Sequence, residues 1–223
     1  MSKSTIIFLH GWGTTRESLF PLINGLKDKY QVYSPNLPHP TNKILTLNDY
    51  CQFVFNFIKN NKINKPVLIG HSLGGAISTK IAIDYPKLIS KIILLSAASI
   101  RHELPTHMIF FQKFGKILRP IRKPILKLLK LDASDYFVLK TDIEKKTFRN
   151  LIHADQSKKI SSIKTSTLIL WGDDDKSTPI QDGQLINKLI VKSEFKSYPN
   201  TGHFFYLDYP AQVISEIENF IKK

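Results

Sequence analysis

Short apolar runs, several of them β-branched, alternate along the chain with longer stretches in which apolar residues return every three or four positions. Strands are predicted at Thr5–Leu9, Gln31–Ser34, the run from Val67 into Gly70, Ile92–Leu95, Ser166–Trp171 and Glu194–Tyr198. Continuous apolar character, as in Thr5-Ile6-Ile7-Phe8-Leu9, suits a strand covered on both faces. Between the runs, Leu19, Leu22, Ile23 and Leu26 share one face of a helix over Ser18–Leu26, and Tyr50, Phe53, Val54, Phe57 and Ile58 share one over Asn48–Asn60. Further helices are predicted over Ala76–Asp84, stopped ahead of Pro86, over Ile180–Ile190, and over Pro210–Lys223 with proline in its first turn. The connections are too long for hairpins, so the expected class is α/β, with about six mostly parallel strands flanked by helices.

The alternation stops between Ser99 and Lys164. This stretch carries fifteen Lys and Arg against six Asp and Glu, nine of the fourteen net positive charges of the chain. Residues 1–98 and 165–223 are therefore expected to form one core, and residues 99–164 a helical cap inserted after the fourth strand. Apolar residues of the cap, including Phe110, Phe111, Phe114, Leu118, Leu128 and Leu129, either pack it onto the core or line a pocket beneath it. A net charge of +14 over 223 residues favours acidic partners, whether a protein or an anionic lipid surface; the alternative is a solvated basic surface with no dedicated partner. Nucleic acid is not expected, since no recognised binding motif is present and the aromatics lie in apolar runs. Cys51 is the single cysteine and sits in a helical pattern, so there is no disulfide framework. The first strand begins after four residues, leaving no room for a signal peptide, and no apolar run reaches membrane-spanning length. A cytoplasmic protein, not an integral membrane one, is the expectation.

Residues that carry chemistry gather at strand ends. The run from Val67 leads through Gly70-His71-Ser72-Leu73-Gly74-Gly75 into a helix. A serine between strand and helix must occupy a very tight turn to project its hydroxyl, and small residues two before and two after let the backbone cross. Gly70 and Gly74 meet that demand, which reads as a nucleophile elbow; an ordinary glycine-rich turn is the alternative. The same turn sets Ser72 at the positive end of the following helix, where free N–H groups can hold an oxyanion. After the first strand, His10-Gly11-Trp12-Gly13 can turn back toward the sheet and aim the Trp12 amide at a bound oxygen. Pro35-Asn36-Leu37-Pro38-His39-Pro40 makes a rigid loop at that edge. Asp173, Asp174 and Asp175 follow the fifth strand and Gly202-His203 the sixth, at the carboxyl edge where ligands of such sheets bind.

Serine, then acid, then histidine is the chain order of the α/β-hydrolase fold. Through His10-Gly11-Trp12-Gly13, Gly70-His71-Ser72-Leu73-Gly74, Trp171-Gly172-Asp173-Asp174-Asp175 with Pro179, and Gly202-His203, nearly the whole chain resembles the cap-bearing, esterase- and lipase-like α/β-hydrolases. The resemblance implies Ser72 as nucleophile, His203 as general base and Asp175 as the orienting acid, selected by the pattern Gly-x-x-Asp followed by Pro. It implies the amides of Trp12 and Leu73 as oxyanion hole, and His10 as a brace for its loop. The implied activity is hydrolysis of a small-molecule carboxylic ester, or a thioester, through an acyl-enzyme, with the cap lining an acyl pocket. No cofactor is implied. No metal is expected either, since His39, His102, His107 and His153 have no ligand-like spacing. The loop, the cap and its charge are similar to the pimeloyl-carrier-protein methyl ester esterases, whose substrate rides on an acidic protein. Two features depart from the family: the amino-terminal antiparallel hairpin is missing, and the proline-rich loop stands where many members have an Asp and a glycine-rich turn. A non-catalytic ligand receptor or interaction protein on the same fold, binding through the basic cap, is the rival reading.

Overall fold

The computed structural model describes residues 3–101 and 141–223. The strands are β1 (Thr5–Leu9), β2 (Gln31–Tyr33), β3 (Val67–His71), β4 (Lys91–Leu95), β5 (Ser166–Gly172) and β6 (Ser193–Tyr198). The helices are α1 (Phe20–Leu26), α2 (Leu47–Asn60), α3 (Leu73–Asp84), α4 (Asp142–Ile152), α5 (Ser157–Ile160), α6 (Ile180–Leu189), α7 (Phe205–Asp208) and α8 (Pro210–Lys222). The six strands form one sheet in the order β2-β1-β3-β4-β5-β6, and every pairing is parallel. The chain runs outward from β1 to β2 and then returns to place β3 on the other side of β1. That reversal opens a crevice at the carboxyl ends of β1 and β3, the place where ligands bind in open α/β sheets.

Alternate residues of each strand feed two cores, one per face. On one face Ile7, Leu9, Leu68, Ile92, Leu94, Ile169 and Trp171 pack with α2, α3 and α6. On the other Ile6, Phe8, Ile69, Ile93, Leu95, Leu168 and Leu170 pack with α1 and α8. Cys51, on α2, is buried with its thiol 3.9 Å from the carbonyl oxygen of Ile77 on α3. The thiol is pushed up to about 12 by burial.

Several boundaries differ from the periodicity. The first helix splits into a 3₁₀ turn at Arg16–Leu19 and α1, with Pro21 in the first turn of the α segment. Helix α3 begins at Leu73, not Ala76, because Ser72 already occupies its N-cap position. The stretch read as a loop before the last helix contains α7, where Phe205 and Tyr206 are fully buried. Within the stretch expected to form a cap, residues 142–152 and 157–160 are the helices α4 and α5, while residues 102–140, including Phe110, Phe111, Phe114, Leu118, Leu128, Leu129, His102 and His107, lie outside the described residues. Helix α4 starts sharply at a capping box, in which Thr141 N–H donates to Glu144 Oε2 at 2.7 Å and Glu144 N–H to Thr141 Oγ1 at 3.1 Å.

Candidate active site

Ser72 stands between β3 and α3 with φ 52° and ψ −111°, a region that costs a non-glycine residue of order 1–3 kcal/mol. Its neighbours hold it there. The Ser72 N–H donates to Leu95 O at 3.0 Å, while the Ser72 carbonyl accepts from Ala76 and Ala98. A Cβ on Gly70 would lie 2.2 Å from Gly74 O, and one on Gly74 would lie 2.0 Å from Leu9 O. Backbone occupies both places, so the tight crossing that the sequence implied is sterically enforced.

The loop after β1 is oriented by His10. Its Nε2 accepts from Leu37 N–H at 2.9 Å, which leaves Nδ1 as the protonated nitrogen, donating to Gly11 O at 2.9 Å. Thr14 Oγ1 donates to the same carbonyl at 3.0 Å. In a trans peptide the carbonyl and the next N–H point in opposite directions, so anchoring Gly11 O directs the Trp12 N–H the other way. Burial lowers the His10 pKa and keeps the ring neutral, as this bonding pattern requires.

The three aspartates after β5 separate in space. Asp173 and Asp174 are exposed, whereas the Asp175 side chain is wholly buried, with Oδ2 2.8 Å from His203 Nδ1. Oδ1 accepts from the N–H groups of Ser177 at 2.8 Å and Thr178 at 2.9 Å, and Oδ2 also accepts from Thr178 Oγ1 at 2.9 Å. Burial works against the charged form. The bond and charge of His203, the Thr178 amide and the Ser96 side chain together outweigh it, so the carboxyl is held below its ordinary value. The acid and histidine loops meet because Gly172 has no side chain: a Cβ there would sit 2.3 Å from Gly202 O.

His71, read only as the residue before the serine, lies under this arrangement. Its Nε2 donates to His203 O at 2.9 Å, and its ring centroid is 4.6 Å from that of His203. Nδ1 is buried with no hydrogen-bond partner among the described residues, and an ideal Cβ on Gly11 would lie 3.1 Å from it. Complete burial, then repulsion from His203, lowers its pKa to about 3. His71 is therefore a neutral ring wedged between the three loops that carry the predicted site residues. No sequence signal marked it beyond its place in the elbow.

Ser72, Leu73, His203, His10, Gly11 and Trp12 all line one cavity of about 900 Å³. Asp175 and the glycines 70 and 74 stand behind that surface. One stripe of α4 packs beside it: Glu144 lines the cavity with Oε1 3.3 Å from His39 Nε2, Thr147 Oγ1 accepts from Leu45 N–H at 3.0 Å, the Phe148 ring is 5.7 Å from that of Trp12, and Leu151 is buried. These are positions i, i+3, i+4 and i+7 of a helix. Among the described residues, no group of three or more His, Cys, Asp or Glu is placed to hold a metal ion, and no helix is long and apolar enough to cross a membrane.

Similarity to other proteins agrees with the fold. A model of the alpha/beta hydrolase family matches residues 6–216. The uncharacterised hydrolase YugF of Bacillus subtilis is 24% identical over an alignment covering 99% of this chain and 90% of that protein. The pimeloyl-[acyl-carrier protein] methyl ester esterase of Wigglesworthia glossinidia brevipalpis is 25% identical, with 98% and 93% covered. Among solved structures, an esterase from Exiguobacterium antarcticum superposes with a TM-score of 0.79 at 17% identity, covering 100% of this chain and 93% of its own, a likeness of fold alone. With the match running from β1 into the last helix, over an all-parallel sheet whose serine, aspartate and histidine converge at one edge, this chain belongs to the alpha/beta hydrolase family.

Proposed function

We propose that the protein cleaves carboxylic esters, thioesters included, through an acyl-enzyme on Ser72. The observation that carries this reading is the 2.8 Å contact of His203 Nδ1 with the buried Asp175 carboxylate, in a cavity that Ser72 and His203 both line. A neutral serine is a poor nucleophile, so His203 Nε2 takes its proton as Oγ attacks the substrate carbonyl carbon. Asp175 holds the Nδ1–H tautomer and stabilises the imidazolium. The negative charge that develops on the carbonyl oxygen is met by the N–H groups of Trp12 and Leu73. Collapse breaks the ester bond, the alcohol leaves with the proton from His203, and water repeats the sequence on the acyl-enzyme. His10 acts only through the Gly11–Trp12 peptide.

The net charge of +14 further supports an acyl group presented on an acidic carrier protein or at an anionic lipid surface. Two relatives that align with almost the whole chain bear the name pimeloyl-[acyl-carrier protein] methyl ester esterase, which favours the carrier. The test is hydrolysis of p-nitrophenyl esters from acetate to laurate by the wild-type protein and by Ser72→Ala. The expected result is turnover that falls on the order of 10⁴- to 10⁶-fold in the variant, with the preferred chain length reporting pocket depth. No turnover, together with no labelling of Ser72 by a fluorophosphonate, would assign the fold to ligand binding without catalysis.

A further inference from the structure

We infer that Thr178 is a positioning residue of this site, whose hydroxyl holds Asp175 and moderates how strongly that carboxylate retains charge on His203. The inference rests on the serine-hydrolase reading above. Thr178 is buried, and its Oγ1 lies 2.9 Å from Asp175 Oδ2, 3.2 Å from Ser96 O and 3.3 Å from His203 Nδ1. The Nδ1 proton is directed to Asp175, so toward His203 the hydroxyl offers only a lone pair. Its own proton has two oxygen acceptors. The anionic one is nearer and gives the charge-assisted bond, the stronger of the two.

An ionised carboxylate has about four acceptor positions. With the hydroxyl, those of Asp175 are filled by Ser177 N–H, Thr178 N–H, Thr178 Oγ1 and His203 Nδ1. Trp171 Nε1 donates to Thr178 O at 2.8 Å and pins the residue from behind. Without the hydroxyl, Oδ2 would lose one of its two hydrogen bonds and keep that of His203, while the Ser96 side chain would still favour the charged carboxylate. More negative charge would then be directed at the imidazolium, which would keep its proton to higher pH. Losing the hydroxyl lone pair near Nδ1 acts in the opposite sense, but through a neutral atom at 3.3 Å, a weaker contact than the carboxylate bond. The titratable groups facing His203 are Asp175 after β5 and His71 at the end of β3, while the exposed Asp174 and Lys176 line the same cavity. None of these is altered when the Thr178 hydroxyl is removed.

The test is the pH dependence of the second-order rate at which a fluorophosphonate labels Ser72, measured for wild type, Thr178→Val, Thr178→Ala and Thr178→Ser. In that step Ser72 Oγ bonds to phosphorus, the P–F bond breaks, fluoride leaves and the serine proton passes to His203, so the rate follows the neutral fraction of the base. The expected result is an acid limb displaced upward by about half to one pH unit in the Val and Ala variants, and restored in the Ser variant. The Ala variant carries the same expectation should Val fail to fold. Limbs that superpose on wild type, move downward, or stay displaced with serine present overturn the inference while leaving the serine mechanism intact. A wild-type protein that does not label Ser72 at all overturns that mechanism, and the role of Thr178 with it.

Discussion

On the sheet side of the cavity, Gly74 lies so close to β1 that a methyl group there would sit 2.0 Å from Leu9 O. Across the cavity, α4 meets the loop after β1 through the Trp12–Phe148 ring pair, 5.7 Å apart, and the proline-rich loop through a contact of Glu144 with His39, whose side chain is 67% exposed. The first wall is backbone against backbone and cannot give. The second includes side chains on a helix surface, where an exposed polar contact contributes at most about 1 kcal/mol. Groups that must be held to a fraction of an ångström therefore stand on the unyielding wall. Under the proposed function, the wall that would face the acyl group is the one that can adjust.

Four substitutions break or sharpen that contrast. The largest effect is expected from Asp175→Asn, which keeps the shape of the inner wall but presents the wrong partner to His203 Nδ1. Turnover should fall on the order of 10⁴-fold with little change in KM, read from steady-state kinetics on the best ester. Gly74→Ala should cost about 3 kcal/mol or more of stability, measured by urea denaturation, because Leu9 O belongs to a central strand and cannot retreat. Next comes His71→Gln. His71 and His10 are neutral in the fold, with pKa values below the ordinary 6.5. The unfolded chain takes up their protons first, so stability is lost as pH falls below about 6.5 toward 3. His71 alone should account for about 2 kcal/mol between pH 7 and pH 5, and the glutamine variant should show a flatter stability profile over that window. The smallest effect belongs to the outer wall. Phe148→Ala removes one aromatic pair and should raise KM two- to ten-fold, with kcat nearly unchanged. A kcat loss comparable to that of Asp175→Asn would mean that α4 also holds the Trp12 amide, and the distinction between the walls would fail.

The strands were legible because burial on both faces leaves an unbroken apolar run, and β1, β3, β4 and β5 have one. Edge strand β6, Ser193–Tyr198, is mostly polar, and only its place between a helix and the histidine loop identified it. The serine turn stood out because its chemistry is local, whereas Asp175 was singled out from Asp173 and Asp174 only by the family's Gly-x-x-Asp and Pro pattern. What surrounds these residues was not legible. His71 reaches the carbonyl of a residue 132 positions away, and Leu45 N–H finds Thr147 Oγ1 across 102 positions. No period or short motif encodes such a pairing. Thr178 lies between, close enough in sequence to Asp175 for its amide to be anticipated, while its hydroxyl has meaning only once His203 is brought alongside. Helix α4 carried a local signal, Thr141 followed three residues later by Glu144, but where it docks depended on the loops it covers.

Cys51 has a practical consequence. Its thiol faces a carbonyl of α3, and with a value near 12 only a minute fraction is thiolate at neutral pH. A disulfide reagent in solution can therefore react only when α2 parts from the sheet side of the molecule. Because the sequence holds one cysteine, the rate at which such a reagent releases colour reports the opening around Cys51 and no other site. The protein thus contains its own clock for local unfolding, to be read under native conditions with no attached dye.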